Sequence, residues 1–190
     1  MHPIFEKIWN LAKPFLNTRR NDIHTEISIE MAFKLMDREG GDEDIVLPAI
    51  ILHDVGWIKV PENLQLKAFG PKAVDPELNR MHEIEGVRIA AAILQKVNYE
   101  QTKVDQILEI IDGHDSRTES LSLNDRIVKD ADKLWRYTKS GFEIDVERFG
   151  ETPGEGLARL RGNINTWFFT RTAKEIALEE VRKRTAESSI

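Results

Sequence analysis

Apolar residues recur at a helical spacing along almost the whole chain, and the strict alternation that marks a β-strand is nearly absent. With the capping residues, glycines and prolines that bound these stretches, the pattern predicts helices over about residues 4–13, 21–39, 44–55, 81–97, 99–112, 122–138 and 157–183. Two segments rich in glycine and proline, 57–80 and 139–156, are predicted to be loops, the first with room for a short helical turn. The sequence therefore predicts an all-α fold.

The length of the chain bounds its domain organisation. Its 190 residues suffice for one sizeable core and are few for two domains. No linker, internal repeat or low-complexity stretch divides the sequence. We expect a single helical domain over residues 1–190, with a core motif region of about 20–137 and a C-terminal helical extension of about 157–187.

Charge and cysteine content exclude several kinds of partner and site. The net charge is −6 with both signs interspersed, so there is no basic face for nucleic acid and no polybasic stretch for a membrane surface. No apolar run approaches the ~20 residues of a membrane span, and the N-terminus makes a poor signal peptide, so we expect a cytoplasmic protein. The chain contains no cysteine, which excludes disulfides and thiolate metal ligands.

The stretch AIILHDVGW places His53 and Asp54 inside an otherwise apolar run, where burial is costly unless a partner satisfies both groups. Three more histidines, His24, His82 and His114, fall on the core-facing sides of three other predicted helices. His2 fits no pattern and receives no role. Any one such histidine is commonly a hydrogen-bonded core residue, but four with an aspartate favour a divalent metal site between helices.

A second acidic group lies in the segment KDADKLW, where Asp130 and Asp132 are two residues apart. On a helix they point in widely different directions, and both fall on the margins of the apolar stripe. The helical geometry does not choose between them, and a solvated charge is the alternative for either one.

The ordered set of His24, His53-Asp54 and Asp132 resembles the HD superfamily of metal-dependent phosphohydrolases. The segments DIHTEISIEMAFKL, AIILHDVGW, HEIEGVRIAAAIL, DGHDS and VKDADKL carry the resemblance, over roughly residues 20–137. It implies a helical bundle in which these four residues bind a first metal, Asp132 being favoured over Asp130 because it follows the alanine of ADKL. It also implies that His82 and His114 bind a second ion, with Asp54 as the bridging ligand.

The resemblance implies hydrolysis of a nucleotide or another small phosphate ester through a metal-activated water, with two divalent ions whose identity among Mn, Fe, Co, Ni, Mg and Zn is not distinguished. His53, Asp54 and Asp115 are the expected catalytic residues. Asp115 is a candidate second-shell acceptor or proton shuttle, or it caps its helix. Candidate phosphate contacts, each of which could also be an ordinary surface cation, are Arg19, Arg20, Lys59 and Lys133.

One residue departs from the family pattern: many members have His-Asp-x-Gly-Lys, and here Trp57 replaces the lysine. Trp57 and Phe69 could stack on a base if the loop 57–80 covers the site, or they could close the core. Two other functions remain open, a mixed-valent di-iron oxygenase with the same ligands and a non-catalytic module that binds metal or nucleotide. The sequence also leaves a homodimer open.

Overall fold

The computed structural model describes residues 2–71 and 73–187, and in this part of the chain it contains helices and no β-strand. The α-helices are α1 (Pro3–Ala12), α2 (Asn21–Glu39), α3 (Glu43–Leu52), α4 (Glu62–Gln65), α5 (Pro76–Lys96), α6 (Gln101–Ile111), α7 (Leu123–Leu134), α8 (Lys139–Phe149), α9 (Pro153–Trp167) and α10 (Arg171–Glu187). Short 3-10 helices cover Lys13–Phe15, Val55–Lys59 and Trp135–Tyr137. The prediction of a single all-α domain is confirmed. No described helix has both the length and the apolar character that a membrane crossing requires.

Helix α3 is the central element of the bundle. It packs against α1, α2, α6 and α7, and every residue from Ile45 to Leu52 is buried. A helix that is apolar on all sides is stable only when other helices surround it. The His-Asp dipeptide that follows α3 therefore lies in the interior of the bundle.

Proline at position 48 is accommodated inside α3 by a compensating hydrogen bond. Proline has no N–H, so the carbonyl of Asp44, four residues earlier, lacks its helical donor. The hydroxyl of Tyr99 donates to this carbonyl at 2.7 Å. At the start of the helix, the Asp42 side chain accepts a hydrogen bond from the backbone N–H of Asp44 at 2.9 Å.

The predicted loop over 139–156 is wrong, because most of it is helix α8 and the start of α9. Its glycines have packing and capping roles that a composition-based prediction cannot distinguish from loop flexibility. Gly141 lies so close to the Trp135 carbonyl that a Cβ there would stand 1.8 Å from the oxygen. Gly150 ends α8 in the left-handed conformation, at φ 64°. Helix α9 then begins in a capping box formed by Thr152 and Glu155.

The predicted single helix over 157–183 is also wrong, because the structure has α9 and α10 with a break between them. Asp130 stabilises this break. Its carboxylate accepts hydrogen bonds from the backbone N–H groups of Phe169 and Thr170 and from the Thr170 hydroxyl, at 2.7–2.9 Å. The Thr170 hydroxyl in turn accepts from the N–H of Ala173 at the start of α10.

The segment 57–80 is irregular, as expected, and contains only short helices before α5. Helix α5 begins at Pro76, five residues before the predicted start near 81. The buried side chain of Gln65 donates to the carbonyls of Trp57 and Val60, at 3.0 and 2.8 Å. This amide folds the segment back on itself beside the end of α3.

Candidate metal centre

Four side chains, from α2, from α7 and from the dipeptide directly after α3, form the first half of a polar cluster in the bundle interior. His24 Nε2 lies 2.9 Å from His53 Nε2, 3.3 Å from Asp54 Oδ2 and 3.4 Å from Asp132 Oδ1. His53 Nε2 lies 3.5 Å from Asp132 Oδ1. Helices α2, α3 and α7 pack against one another, which brings these residues together from positions more than a hundred residues apart.

The second half of the cluster lies on the other oxygen of Asp54. His82 from α5 and His114, just after α6, have their Nε2 atoms 3.3 Å apart. Asp54 Oδ1 lies 3.5 Å from His114 Nε2 and 3.7 Å from His82 Nε2. One carboxylate thus faces two histidine pairs, one with each oxygen.

These donor atoms fit divalent metal ions. Imidazole nitrogens and carboxylate oxygens suit borderline and hard cations, and atoms ~2.1 Å from one ion lie roughly 3.0–3.4 Å apart in octahedral or tetrahedral coordination. The separations of His24 Nε2 from its three neighbours, 2.9–3.4 Å, are close to that range. Three groups of donors lie close enough to share an ion: His24, His53 and Asp132; His53, Asp54 and His114; and His82, His114 and Asp115. Without a metal ion, the two Nε2 atoms of each histidine pair can hydrogen-bond to each other only if one of them carries a proton.

The histidine rings are oriented so that Nε2 faces the centre. His53 Nδ1 lies 2.8 Å from the Ile50 carbonyl, and His114 Nδ1 lies 3.0 Å from the Ile111 carbonyl. Because a carbonyl oxygen only accepts, both Nδ1 atoms donate, and either ring in its neutral form has its lone pair on Nε2. Backbone carbonyls oriented in this way are the usual outer partners of metal-binding histidines.

Trp57 supports the centre from the side of Asp54. Its indole Nε1 donates to Asp54 Oδ1 at 2.9 Å, and its ring stacks on His82 with centroids 4.0 Å apart. The side chain is 2% exposed. Trp57 therefore orients two candidate ligands rather than offering a free face to a base.

Gly56 lets the end of α3 approach α5 closely enough to bring His82 to Asp54. A Cβ at position 56 would stand 1.8 Å from the His82 carbonyl oxygen and 2.5 Å from the nitrogen of Gly86. Only glycine allows this contact between the two backbones. The glycine of the His-Asp-x-Gly pattern thus has a packing reason in this fold.

The loop after α6 is fixed by two buried charged residues. Glu83, fully buried, accepts hydrogen bonds from the N–H groups of Asp115 and Ser116, at 3.0 and 2.8 Å, and from the Ser116 hydroxyl. The Lys129 ammonium donates to three carbonyls of the same loop, among them that of His114 at 2.9 Å. Both residues hold His114 and Asp115 in position.

Asp130 and Asp132 face different surroundings although they lie on the same helix. Asp132 faces His24 and His53, whereas Asp130 accepts the hydrogen bonds that begin α10. Burial raises the pKa of Asp130 to about 6. The two aspartates diverge as the helical spacing requires, and the packing of α10 distinguishes them.

The histidines at the centre differ in protonation. For His53 and His114, Asp54 outweighs burial and raises the pKa, that of His114 to about 9, so a metal ion would displace a proton from these rings. Burial lowers the pKa of His24 and of His82 to about 4, so both imidazoles are neutral at pH 7. Burial favours the neutral acid of Asp54, but the neighbouring histidines lower its pKa well below the usual range. For Asp132, Lys133 and His53 likewise outweigh burial and lower the pKa.

Two adjoining cavities give access to the centre. The inner cavity touches His24, Asp54 and Asp132, and its rim includes Arg19, Asn21, Arg136 and Arg148. The outer pocket has a volume of about 350 Å³; Phe69, Asp115 and Arg136 line both spaces. Aromatic, amide and cationic side chains form the rest of its wall, among them Phe149, Trp167, Asn79, Asn163 and Lys133.

The four candidate phosphate contacts lie in different places. Arg19 lines the inner cavity, and Lys133 lines the outer pocket while it pairs with Asp115 and Asp132. Arg20 pairs with Glu147 at 3.1 Å on the exposed surface. Lys59 is exposed and lines a separate apolar groove with residues of α1 and α5, so the structure does not bring it to the centre.

Sequence reasoning missed several residues around the centre. Arg136 and Arg148 border the inner cavity, but in the sequence they resemble ordinary surface cations. Glu83 and Lys129 are charged residues on core-facing positions of their helices, which is a signal that the periodicity already contained. Asn21, the first residue of α2, is 2% exposed and lines the cavity, and its position at a helix start gives no sign of this in the sequence.

Comparisons with known proteins agree with the fold and with the cluster. The family model described as HD domain matches residues 21–136. A crystal structure described as a predicted HD superfamily hydrolase from an uncultured Thermotogales bacterium superimposes with a TM-score of 0.66 at 21% sequence identity. The alignment covers 97% of this chain and 88% of that one. No curated protein matches the sequence.

Proposed function

The chain belongs to the HD domain family, and we propose that it is a metal-dependent phosphohydrolase that cleaves a small phosphate ester. The observation that carries the proposal is the meeting of six donors, His24, His53, Asp54, His82, His114 and Asp132, beside a cavity bordered by cations. Two divalent ions held by these residues would lower the pKa of a bound water and polarise a phosphoryl oxygen. We propose that Asp54 contributes one oxygen to each ion.

Cations at the cavity favour an anionic substrate. Arg19, Arg136 and Arg148 line the inner cavity together with the candidate ligands. Guanidinium groups bind phosphoryl oxygens through charge-assisted hydrogen bonds and stabilise negative charge that develops on them. This charge distribution favours phosphate ester hydrolysis over an oxygenase acting on an uncharged molecule.

The outer pocket is the proposed site for the alcohol part of the ester. A volume of about 350 Å³ suits a small organic group, and Phe69, Phe149 and Trp167 offer apolar faces. The amides of Asn79 and Asn163 can hydrogen-bond to hydroxyl or base edges. A nucleoside monophosphate is one compound of this size and character.

Asp115 and Lys133 act in this proposal as a pair at the junction of the two cavities. Burial favours the neutral acid of Asp115, but Lys133 outweighs it and lowers the pKa, so the residue is a carboxylate at neutral pH. A carboxylate with a low pKa is a weak base. We propose that Asp115 holds Lys133 towards the substrate and accepts hydrogen bonds, rather than shuttling a proton.

A metal and substrate screen tests the proposal. Protein purified without chelator would be analysed for metals and assayed against nucleotides and phosphomonoesters with Mn²⁺, Fe²⁺, Co²⁺ or Ni²⁺. We expect phosphate release that continues without oxygen. Release of an oxidised product that stops under anaerobic conditions would instead support the oxygenase.

A pair of variants on α7 supplies a matched control. Asp132→Asn removes a candidate ligand, whereas Asp130→Asn makes the same chemical change two residues away, outside the centre. We expect Asp132→Asn to lose bound metal and at least ~100-fold in turnover, as ligand loss should. Asp130→Asn should retain the bound metal and the turnover of the wild type, when both are expressed per folded molecule. Full activity in Asp132→Asn would show that hydrolysis does not depend on this ligand and would contradict the proposed centre.

A further inference from the structure

Two side chains on the wall of the inner cavity have a hydrogen-bond donor without an acceptor, and a third is a cation without an ion pair. Arg19, Asn21 and Arg148 line the cavity beside His24 and Asp54. Asn21 is 2% exposed and its amide nitrogen has no hydrogen-bond acceptor, nor has Nε of Arg19. A buried donor without an acceptor costs free energy, so such groups favour a ligand or a water that supplies acceptor oxygens.

Neither arginine forms an ion pair within the described part of the chain. Arg19 is held between the rings of Trp57 and Phe69, 4.5 and 4.6 Å from their centroids, and forms no ion pair. Arg148 donates one hydrogen bond, to the carbonyl of Arg19 at 2.9 Å, and contacts the rings of Phe69 and Trp135. By contrast, Arg20 is paired with a carboxylate.

The backbone at Arg19 and Arg20 has an unusual conformation, which also points to a ligand site here. Arg19 and Arg20 are consecutive residues with positive φ, at 48° and 60°. Side chains with a Cβ adopt this region at a cost, and such strain is retained where surrounding contacts fix it, often at ligand sites. Burial lowers the pKa of Arg19 and of Arg148 to about 10, yet both remain cations at pH 7.

Resting on the proposed function, we propose that Arg19, Asn21 and Arg148 form a second phosphoryl subsite, so that the substrate carries a second phosphate group near the one that is cleaved. Two divalent ions with Asp54 and Asp132 would leave a net charge that a single phosphomonoester dianion balances. Of the three arginines at the inner cavity, Arg136 pairs with Asp145 at 3.5 Å, and a second dianionic group would neutralise the other two. Arg19 and Arg148 lie outside the region that the family model matches, residues 21–136, whereas Asn21 is its first residue.

Anion titrations of the metal-loaded protein test the second subsite without requiring turnover. Calorimetry on the Mn²⁺-loaded full chain would measure dissociation constants for inorganic phosphate and for pyrophosphate. Because free pyrophosphate binds Mn²⁺ equally in every titration, that contribution cancels between variants. We expect the wild type to prefer pyrophosphate by at least ~10-fold, as one charge-assisted subsite would provide.

Charge-removing variants then identify the residues. Arg148→Gln and Arg19→Gln should reduce the preference to within ~3-fold, because the affinity for pyrophosphate should fall by a larger factor than the affinity for phosphate. Arg148→Lys keeps the positive charge and should retain part of the preference for pyrophosphate. It therefore distinguishes the loss of charge from a folding defect caused by replacing Arg148. Arg38→Gln on α2, whose arginine pairs with Glu175 at 2.9 Å on the surface, is the matched control and should retain all of it.

Three results would overturn the second subsite: a wild type without a preference for pyrophosphate, an equal loss for both anions in Arg148→Gln, or a loss in Arg38→Gln as large as that in Arg148→Gln. An equal loss would mean that the arginines hold the reacting phosphate. If pyrophosphate is preferred but no ester is hydrolysed, the subsite stands and the proposed hydrolase fails. The two proposals are therefore tested separately.

Discussion

Replacing Trp57 by phenylalanine should weaken metal binding because it removes the hydrogen bond that orients Asp54. The indole Nε1 donates to Asp54 Oδ1 at 2.9 Å, and phenylalanine has no donor there. A hydrogen bond to a charged group contributes about 1.5–3 kcal/mol, and tenfold in an equilibrium constant corresponds to about 1.4 kcal/mol. The predicted loss in Mn²⁺ affinity is therefore about 10–100-fold, the range typical of partners that orient metal ligands.

Trp135→Phe is the matched control for this measurement. Trp135 is as buried as Trp57 and its ring contacts His24 with centroids 4.8 Å apart, but its Nε1 has no acceptor. Both variants lose the same atoms, so their losses of packing should be similar. Calorimetric Mn²⁺ titration of the two variants, after thermal melts show both are folded, isolates the hydrogen bond. Equal dissociation constants, within ~2-fold, would refute this role of Trp57.

Three further substitutions test the packing that holds the centre, each by urea denaturation. Gly56→Ala should cost more than ~3 kcal/mol, since its Cβ would stand 1.8 Å from the His82 carbonyl oxygen; a cost below ~1 kcal/mol would contradict the close approach. Glu83→Gln should cost about 2 kcal/mol by disrupting the bonds that fix the Asp115 loop, and should also lower turnover; unchanged turnover would show that the loop is held by other contacts. Tyr99→Phe should cost about 1 kcal/mol by leaving a carbonyl of α3 without its donor, and no change would mean that water replaces the hydroxyl.

The helical pattern was enough to place the candidate ligands on core-facing positions. His24, His82 and His114 could be recognised because polar residues within an apolar stripe must be buried with it. Their meeting at Asp54 depends on how α2, α3, α5, α6 and α7 pack, and periodicity within one helix contains no information about another. The resemblance to a family supplied that step.

The choice between Asp130 and Asp132 shows where local geometry becomes insufficient. Both lie on the margins of the same stripe, and only the start of α10, folded back over Asp130, separates them. Helix α8 escaped prediction for a related reason. Gly141 allows α8 to approach the backbone of Trp135, and this contact can be recognised only in the three-dimensional structure.

The arginines of the inner cavity could not be predicted at all. Arg136 and Arg148 carry no local signal that separates them from solvated cations, and Arg148 lies in a segment predicted to be a loop. Trp57 shows the opposite difficulty. The sequence shows that Trp57 occupies the position of the family's lysine. Its contacts with Asp54 and His82 depend on the close packing at Gly56, which the sequence does not reveal.

Anomalous diffraction from crystals grown with Mn²⁺ tests the central account most directly. It predicts one peak among His24, His53 and Asp132 and a second beside His82 and His114, with one oxygen of Asp54 next to each. Mn²⁺ bound elsewhere, with no peak within ~2.5 Å of these donor atoms, would contradict the assignment of the cluster as a metal centre.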